Sequence, residues 1–396
     1  MRVPVYLATT VATLLSGAVT ATGDVYRTEL SKWMASSIMS RGQGIMTGEG
    51  GSSEALQAGF TQKAFTALTH QYPDSSDEFR QYIRTSAKSV VPFLSNATND
   101  ALAYPMDRLS NGNALLALSK QGGHSFHETE KALRKSIDLN RRNAQNGLWY
   151  FVYPEWSYLD GMYSLAPFYA LHSLSEGGYN TKSTKAALQD LLHQLDLLWE
   201  HTFHPVTGLL THGYDASRKA VWANPKTGGS PYVWGRSLGW YTMTLVDLLE
   251  ILDKAPGQYR KPVLDKFQKL MSNVIKAVDE KTGGWWQIVD QPGRKGNYIE
   301  SSGTAMFAYS LLKGARLGYI PSNPAKKVAT RAHKYLTDTF VVKEANRTLS
   351  YDGTVAVCSL NSTATYDYYV NQPILYNSVL GSNAYVLASL EVERLY

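Results

Sequence analysis

Apolar residues recur at helical spacing in twelve separate stretches of this 396-residue sequence, near 25–39, 55–71, 77–90, 111–121, 126–139, 160–176, 183–202, 236–253, 258–279, 301–317, 324–340 and 378–394. Leu56, Phe60, Ala64 and Ala67 mark one apolar face, Leu245, Leu248, Leu249 and Leu252 another, and Ala305, Ala308, Tyr309 and Leu312 a third. Such i, i+3, i+4, i+7 spacing is that of amphipathic helices. Gly, Pro, Asn and Asp fill the connections, and no segment among them reads as a linker between domains. Twelve helices in one unbroken unit predict six helical hairpins closed into a ring, with one helix of each hairpin inside and one outside. The expected fold is therefore an all-α (α/α)6 toroid over residues 22–396. No internal repeat supports it, and a superhelical array or a two-domain helical protein is the alternative. Weakly alternating patches at 284–289 and 355–360 predict short β-hairpins or extended loops in the connections.

The single Cys358 permits no internal disulfide and excludes a metal site built on several cysteines. Residues 1–21 read as a secretory signal peptide, with Arg2 near the start, a mostly apolar run from Val3 to Val19, and Val19 and Ala21 flanking a cleavage point. No other segment approaches the apolar length needed to cross a bilayer. Acceptor sequons at Asn96, Asn346 and Asn361 fit a glycosylated, extracellular protein. The net charge is +6, but Lys and Arg are scattered singly, which argues against a nucleic-acid partner. A mild positive field favours an acidic substrate such as a uronic-acid sugar. The 26 Tyr and 9 Trp suit the apolar faces of sugar rings, although aromatics also fill cores.

Asp160 stands out because it enters an apolar helix from the stretch Tyr153-Pro154-Glu155-Trp156-Ser157-Tyr158-Leu159-Asp160-Gly161-Met162-Tyr163. A carboxyl group among such aromatics loses solvation for its charged form, which raises its pKa toward that of a proton donor. The competing reading is a simple helix N-cap. Asp107, before the helix near 111, is a second carboxylate that could divide acid and base roles with Asp160, or merely shape a turn. His212 and Arg236 are candidates for a substrate hydroxyl or carboxylate, the guanidinium offering a two-pronged fork. Trp240, one turn beyond Arg236, falls on the same side of its helix. Several of these residues precede or open helices, whose N-termini favour anions. Zinc helices, EF-hand loops, phosphate-binding glycine loops and the Gly-x-Ser-x-Gly elbow are all missing from the sequence.

Taken together, several stretches resemble the unsaturated uronyl hydrolases of glycoside hydrolase family 105, which is related to the family 88 unsaturated glucuronyl hydrolases. They are Met106-Asp107, Tyr153-Pro154 with Leu159 to Tyr163, Pro167 to Ala170, His212 to Asp215, Trp222 to Pro225, Trp234-Gly235-Arg236 with Gly239-Trp240, Gln287 to Pro292, Gly296 to Tyr309, and Tyr368-Tyr369. The resemblance implies the six-hairpin toroid and an exo-acting hydrolase that uses no metal or cofactor. It also implies an oligosaccharide substrate left by a polysaccharide lyase, with a double bond between carbons 4 and 5 of its terminal uronic acid. Asp160 would protonate carbon 4 and activate a water that adds at carbon 5, with Asp107 as the second carboxylate of the catalytic pair. Met106, His212, Arg236, Trp240 and Tyr158 would bind substrate. A secreted monomer acting on rhamnogalacturonan fragments is the expectation, with other unsaturated glucuronyl oligosaccharides, or a sugar-binding toroid without catalysis, as alternatives. The sequence departs from the family where Tyr150-Phe151 replaces a common His-Lys pair and where Tyr158 replaces a common Trp.

Overall fold

The computed structural model describes residues 29–51 and 53–396, so the expected signal peptide lies outside the described residues. Fourteen α-helices occur among them. In chain order they are α1 (Leu30–Ser40), α2 (Glu54–Gln71), α3 (Asp77–Val90), α4 (Ala97–Ala103), α5 (Gly112–Ser119), α6 (His124–Asp138), α7 (Leu159–Gly177), α8 (Lys182–Thr202), α9 (Gly235–Ile251), α10 (Gly257–Lys276), α11 (Ser301–Arg316), α12 (Ser322–Phe340), α13 (Tyr366–Val370) and α14 (Val379–Glu393). A 3-10 turn, Met106–Asn111, leads directly into α5. The twelve expected helices are all present. The two further ones, α4 and α13, are too short to display a period, but each has a capping residue, Asn96 accepting from the Asn99 amide and Thr365 from the Tyr368 amide.

Side-chain pattern decides which helices lie inside. Every residue of α9 from Gly235 to Leu249 is buried, as is every residue of α11 from Ser301 to Ala315. In contrast, α12 buries one stripe, Ala325, Ala329, Ala332, His333 and Leu336. A helix that is small and apolar on all sides must be enclosed, and a one-striped helix can face water. Accordingly α2, the 3-10 turn with α5, α7, α9, α11 and α14 touch in succession, and α14 returns to α2 to close the ring. Around it α1 packs on α14, α3 on α2, α6 on α5, α8 on α7, α10 on α9 and α12 on α11. This is the six-hairpin toroid.

Two features fix the inner ring. Gly303 of α11 meets Gly235 so closely that a Cβ there would lie 3.0 Å from the Gly235 carbonyl carbon, which brings the first turns of α9 and α11 together. Asp247 of α9 holds Lys313 of α11 and Lys63 of α2, each at 2.7 Å, and accepts from the Tyr309 hydroxyl at 2.7 Å. Such a buried cluster ties three inner helices at fixed positions, a role in specificity more than in net stability.

Of the two forms expected for the strand-like patches, the structure has the extended loop, and its paired strands lie elsewhere. The strands found are β1 (Trp156–Tyr158) with β2 (Gly213–Asp215), and β3 (Val341–Lys343) with β4 (Leu349–Tyr351), both antiparallel. Segments 284–289 and 355–360 form no hairpin. They are extended and make single bridges, Trp234 with Ile288, Trp286 with Ile299 and Val355 with Ile374. Their backbone groups are taken up one at a time by neighbouring loops, as when Gly235 donates to Gln287 and Val289 to Val233.

Candidate active site

The N-terminal ends of α2, α7, α9 and α14, with the 3-10 turn before α5, line a cavity at one end of the ring. Leu56 of α2, Asp107 of the 3-10 turn, Asp160 of α7, Arg236 and Trp240 of α9 and Leu380 of α14 all contribute. Tyr158 of β1 adds to the wall, as do Tyr150, Phe151, Tyr153, Trp234, Val357, Cys358 and Ser359 from the connections. Convergent helix N-termini place partial positive charge around this space, a setting that favours an anionic ligand.

Asp160 does not cap α7. Tyr158 holds the cap position, and the Asp160 side chain reaches across to accept from the Ser237 hydroxyl of α9. The β1–β2 pairing sets Tyr158 opposite Gly213, and the Leu159 amide donates to the His212 carbonyl at 3.1 Å. This register brings His212 Nε2 to 3.5 Å from Asp160 Oδ2. Burial raises the Asp160 carboxyl to about 6, against the lowering pull of Ser237, its own amide and Arg236. A carboxyl of that affinity exchanges a proton near neutral pH. Its side chain is 12% exposed, so it remains open to the cavity.

His212 is fully enclosed. Its Nδ1 pairs with the Tyr369 hydroxyl at 2.8 Å, and its ring lies against Tyr158 and Trp234. Burial, helped by Arg236, drives its pKa down to about 3, so the imidazole is neutral and adds no cation beside Asp160.

Asp107 is also raised, to about 7. Burial is the main cause, and the neighbouring Asp160 adds to it, while a hydrogen bond of 2.9 Å from the Tyr150 hydroxyl and the nearby Arg108 work the other way. The two aspartates thus share one cavity with both affinities displaced upward, the pattern expected of an acid–base site.

Arg236 lines the cavity, yet its fork is already engaged. Nη1 donates to the Val355 carbonyl and Nη2 to the Ala356 carbonyl at 2.7 Å, with Glu300 4.0 Å away and the Trp234 ring beneath it. The guanidinium therefore builds the wall that carries Val357, Cys358 and Ser359, besides placing a positive charge at the site. Glu300, the cap of α11, accepts from the Gly303 and Val355 amides and so holds the same loop. Trp240 is wedged between Phe60 and Tyr163 with part of its indole facing the cavity. Met106 lies behind the wall, against Gly161, and is not among the lining side chains. Burial pushes the Cys358 thiol up to about 12, which leaves it inert as a nucleophile.

Ser237, Tyr150 and Tyr369 were not singled out as site residues in the sequence. Ser237 directly follows Arg236, and Tyr150 belongs to the Tyr150-Phe151 pair that departs from the family pattern, so position alone offered a hint for both. Among the described residues, His, Cys, Asp and Glu side chains form no group of three able to hold a metal ion, and no helix is long and apolar enough to cross a membrane.

Comparison with known proteins agrees with this architecture. The profile of glycosyl hydrolase family 88 matches residues 33–396. The 24.9 kDa protein in the picA locus of Rhizobium radiobacter is 35% identical over 195 residues, 46% of this chain and 82% of that protein. A glycoside hydrolase from family 105 of C. acetobutylicum is 30% identical, covering 93% of this chain and 100% of its own, with a TM-score of 0.80. The unsaturated glucuronyl hydrolase of Bacillus sp. GL1, at 13% identity, covers 93% of this chain and 97% of its own with a TM-score of 0.65, a likeness of fold. Profile, identity and toroid together make this protein a glycoside hydrolase of the family 88 and family 105 group.

Proposed function

We propose that this glycoside hydrolase is a secreted, exo-acting monomer that removes the 4,5-unsaturated uronic acid from the non-reducing end of lyase-generated rhamnogalacturonan oligosaccharides. The observation that carries the reading is Asp160, a carboxyl that faces the cavity, accepts from Ser237 and holds its proton to about pH 6. Protonated Asp160 adds its proton to carbon 4, and the positive charge that forms at carbon 5 is shared with the ring oxygen. The carboxylate left behind then takes a proton from water as the water oxygen bonds to carbon 5. The resulting hemiketal opens to a keto acid, which turns carbon 1 into a hemiacetal that releases the remaining sugar chain. No bond is displaced at carbon 1 by a protein nucleophile, so the spacing of the two carboxyls does not set the stereochemistry as it does in ordinary glycosidases.

The uronate carboxylate is favoured by the helix N-termini around the cavity and by the charge of Arg236. Tyr153 and Phe151 at the cavity wall offer aromatic faces to the adjoining sugar. A substrate panel tests the assignment. Unsaturated galacturonyl-rhamnose is expected to have a higher kcat/KM than an unsaturated glucuronyl disaccharide, with saturated galacturonyl-rhamnose unreactive. Faster turnover of the glucuronyl compound would move the chain to the other branch of the same chemistry, and turnover of the saturated one would refute hydration.

A further inference from the structure

Tyr150 binds the Asp107 segment twice. Its carbonyl accepts from the Met106 amide at 2.9 Å, and its hydroxyl donates to Asp107 Oδ2 at 2.9 Å. The ring is locked in place, stacked on Tyr158 with centroids 4.3 Å apart and planes 12° from parallel. Gly161 also lies against the ring, and a Cβ there would approach Tyr150 Cδ2 to 3.2 Å and Met106 Sδ to 3.1 Å. Glycine next to Asp160 thus leaves room for Tyr150 between the two carboxyl-bearing segments. The phenol is held far above its ordinary pKa by burial and by Asp107 and Asp160, so it is always the donor.

Asp107 Oδ1 is buried and has no hydrogen-bond partner, on a residue that lines the cavity. The charged and titratable groups that face Asp107 are Tyr150, Asp160 and Arg108. Arg108 is directed elsewhere, to Ser136, Asn140 and the carbonyls of Tyr104 and Pro105. An unmatched buried oxygen is costly to keep unless a ligand completes it.

We propose that Tyr150 is a positioning residue: by occupying Oδ2 it leaves Oδ1 as the oxygen that carries the Asp107 proton, and that O–H donates to a substrate oxygen beside Asp160. The neutral Asp107 then binds substrate without opposing the negative charge that Asp160 acquires after proton transfer. This inference rests on the reaction proposed above and deepens it.

The test is Tyr150→Phe, which keeps the ring stack and removes one hydroxyl, assayed on the unsaturated disaccharide across pH. The expected result is a KM raised about tenfold with kcat within about threefold of wild type. The pH at which affinity is lost moves upward, because the hydroxyl no longer favours the ionised carboxyl. Unchanged KM and pH dependence would overturn the proposal, as would a fall in kcat alone with the melting temperature preserved. A second measurement uses Asp160→Asn as a parent and follows disaccharide binding by calorimetry. Adding Asp107→Asn replaces the O–H donor by an amide N–H, so binding should persist above pH 8, where the parent loses it; parallel losses in both would also overturn the proposal. If the wild type leaves the unsaturated disaccharide intact, the reaction itself is misassigned. Turnover by the wild type with an unmoved Tyr150→Phe profile removes only the role of Tyr150.

Discussion

Replacing Asp160 with Asn should abolish turnover and make the protein more stable at neutral pH. The carboxyl ionises near pH 6 in the fold and near 3.8 in an unfolded chain. Its folded affinity is raised, so its contribution to stability is complete below about pH 3.8 and is lost as pH rises through about 6. Linkage puts the loss at about 1 kcal/mol at pH 4.5 and about 3 kcal/mol at pH 7.5. The amide is never charged and can still accept from Ser237, so the variant escapes that loss. A chain of this size loses roughly 0.8 kcal/mol per degree at its midpoint, so the gain is about 1 °C at pH 4.5 and about 4 °C at pH 7.5. The assay is melting by circular dichroism or calorimetry for both proteins across this pH range. A gap that stays constant with pH, or a variant less stable at pH 7.5, would refute the claim that Asp160 is held against its desolvation.

Other consequences follow from the same contacts. The wild-type kcat/KM should fall as pH rises through about 6, because the proposed reaction begins with a protonated Asp160. Ser237→Ala removes a bond that favours the ionised form, so this alkaline limb should move upward while stability drops by about 1 kcal/mol in urea titration. Arg236→Lys loses the planar fork that holds the Val355 and Ala356 carbonyls; we expect a cost of about 2–3 kcal/mol and a KM raised about tenfold or more, measured by denaturation and steady-state kinetics. Gly303→Ala should destabilise by about 1–3 kcal/mol despite the higher helix propensity of Ala, because the added methyl meets the Gly235 backbone. An Ala variant as stable as wild type would show that α9 and α11 can move apart.

Much of the fold was legible in the sequence because helices announce themselves locally. The period of Ala305, Ala308, Tyr309 and Leu312 needs no partner to be seen, and the all-round burial of α9 and α11 follows from their small and apolar residues. Ring closure, by contrast, depends on α14 meeting α2, a contact across most of the chain that no local pattern encodes. The extended segments at 284–289 and 355–360 alternate like strands, but where their backbone bonds go is settled by loops that are distant in sequence. The aromatic setting of Asp160 pointed to an unusual carboxyl. Its partner could not be read in the same way, since Ser237 is 77 residues away. Likewise Tyr150 lies 43 residues from Asp107, and Tyr369 lies 157 from His212. Arg236 shows the limit of reasoning from side-chain chemistry alone. A free fork suggests a carboxylate ligand, whereas the fold has already given that fork two backbone carbonyls.

The most direct test of the proposed hydration is the ultraviolet absorbance of the conjugated double bond in rhamnogalacturonan-lyase products, followed with wild type and with Asp160→Asn. The expected result is a decay of absorbance with the wild type that is lost in the variant. Absorbance that stays constant while the wild type still releases sugar would contradict the account, because cleavage would then proceed without consuming the double bond.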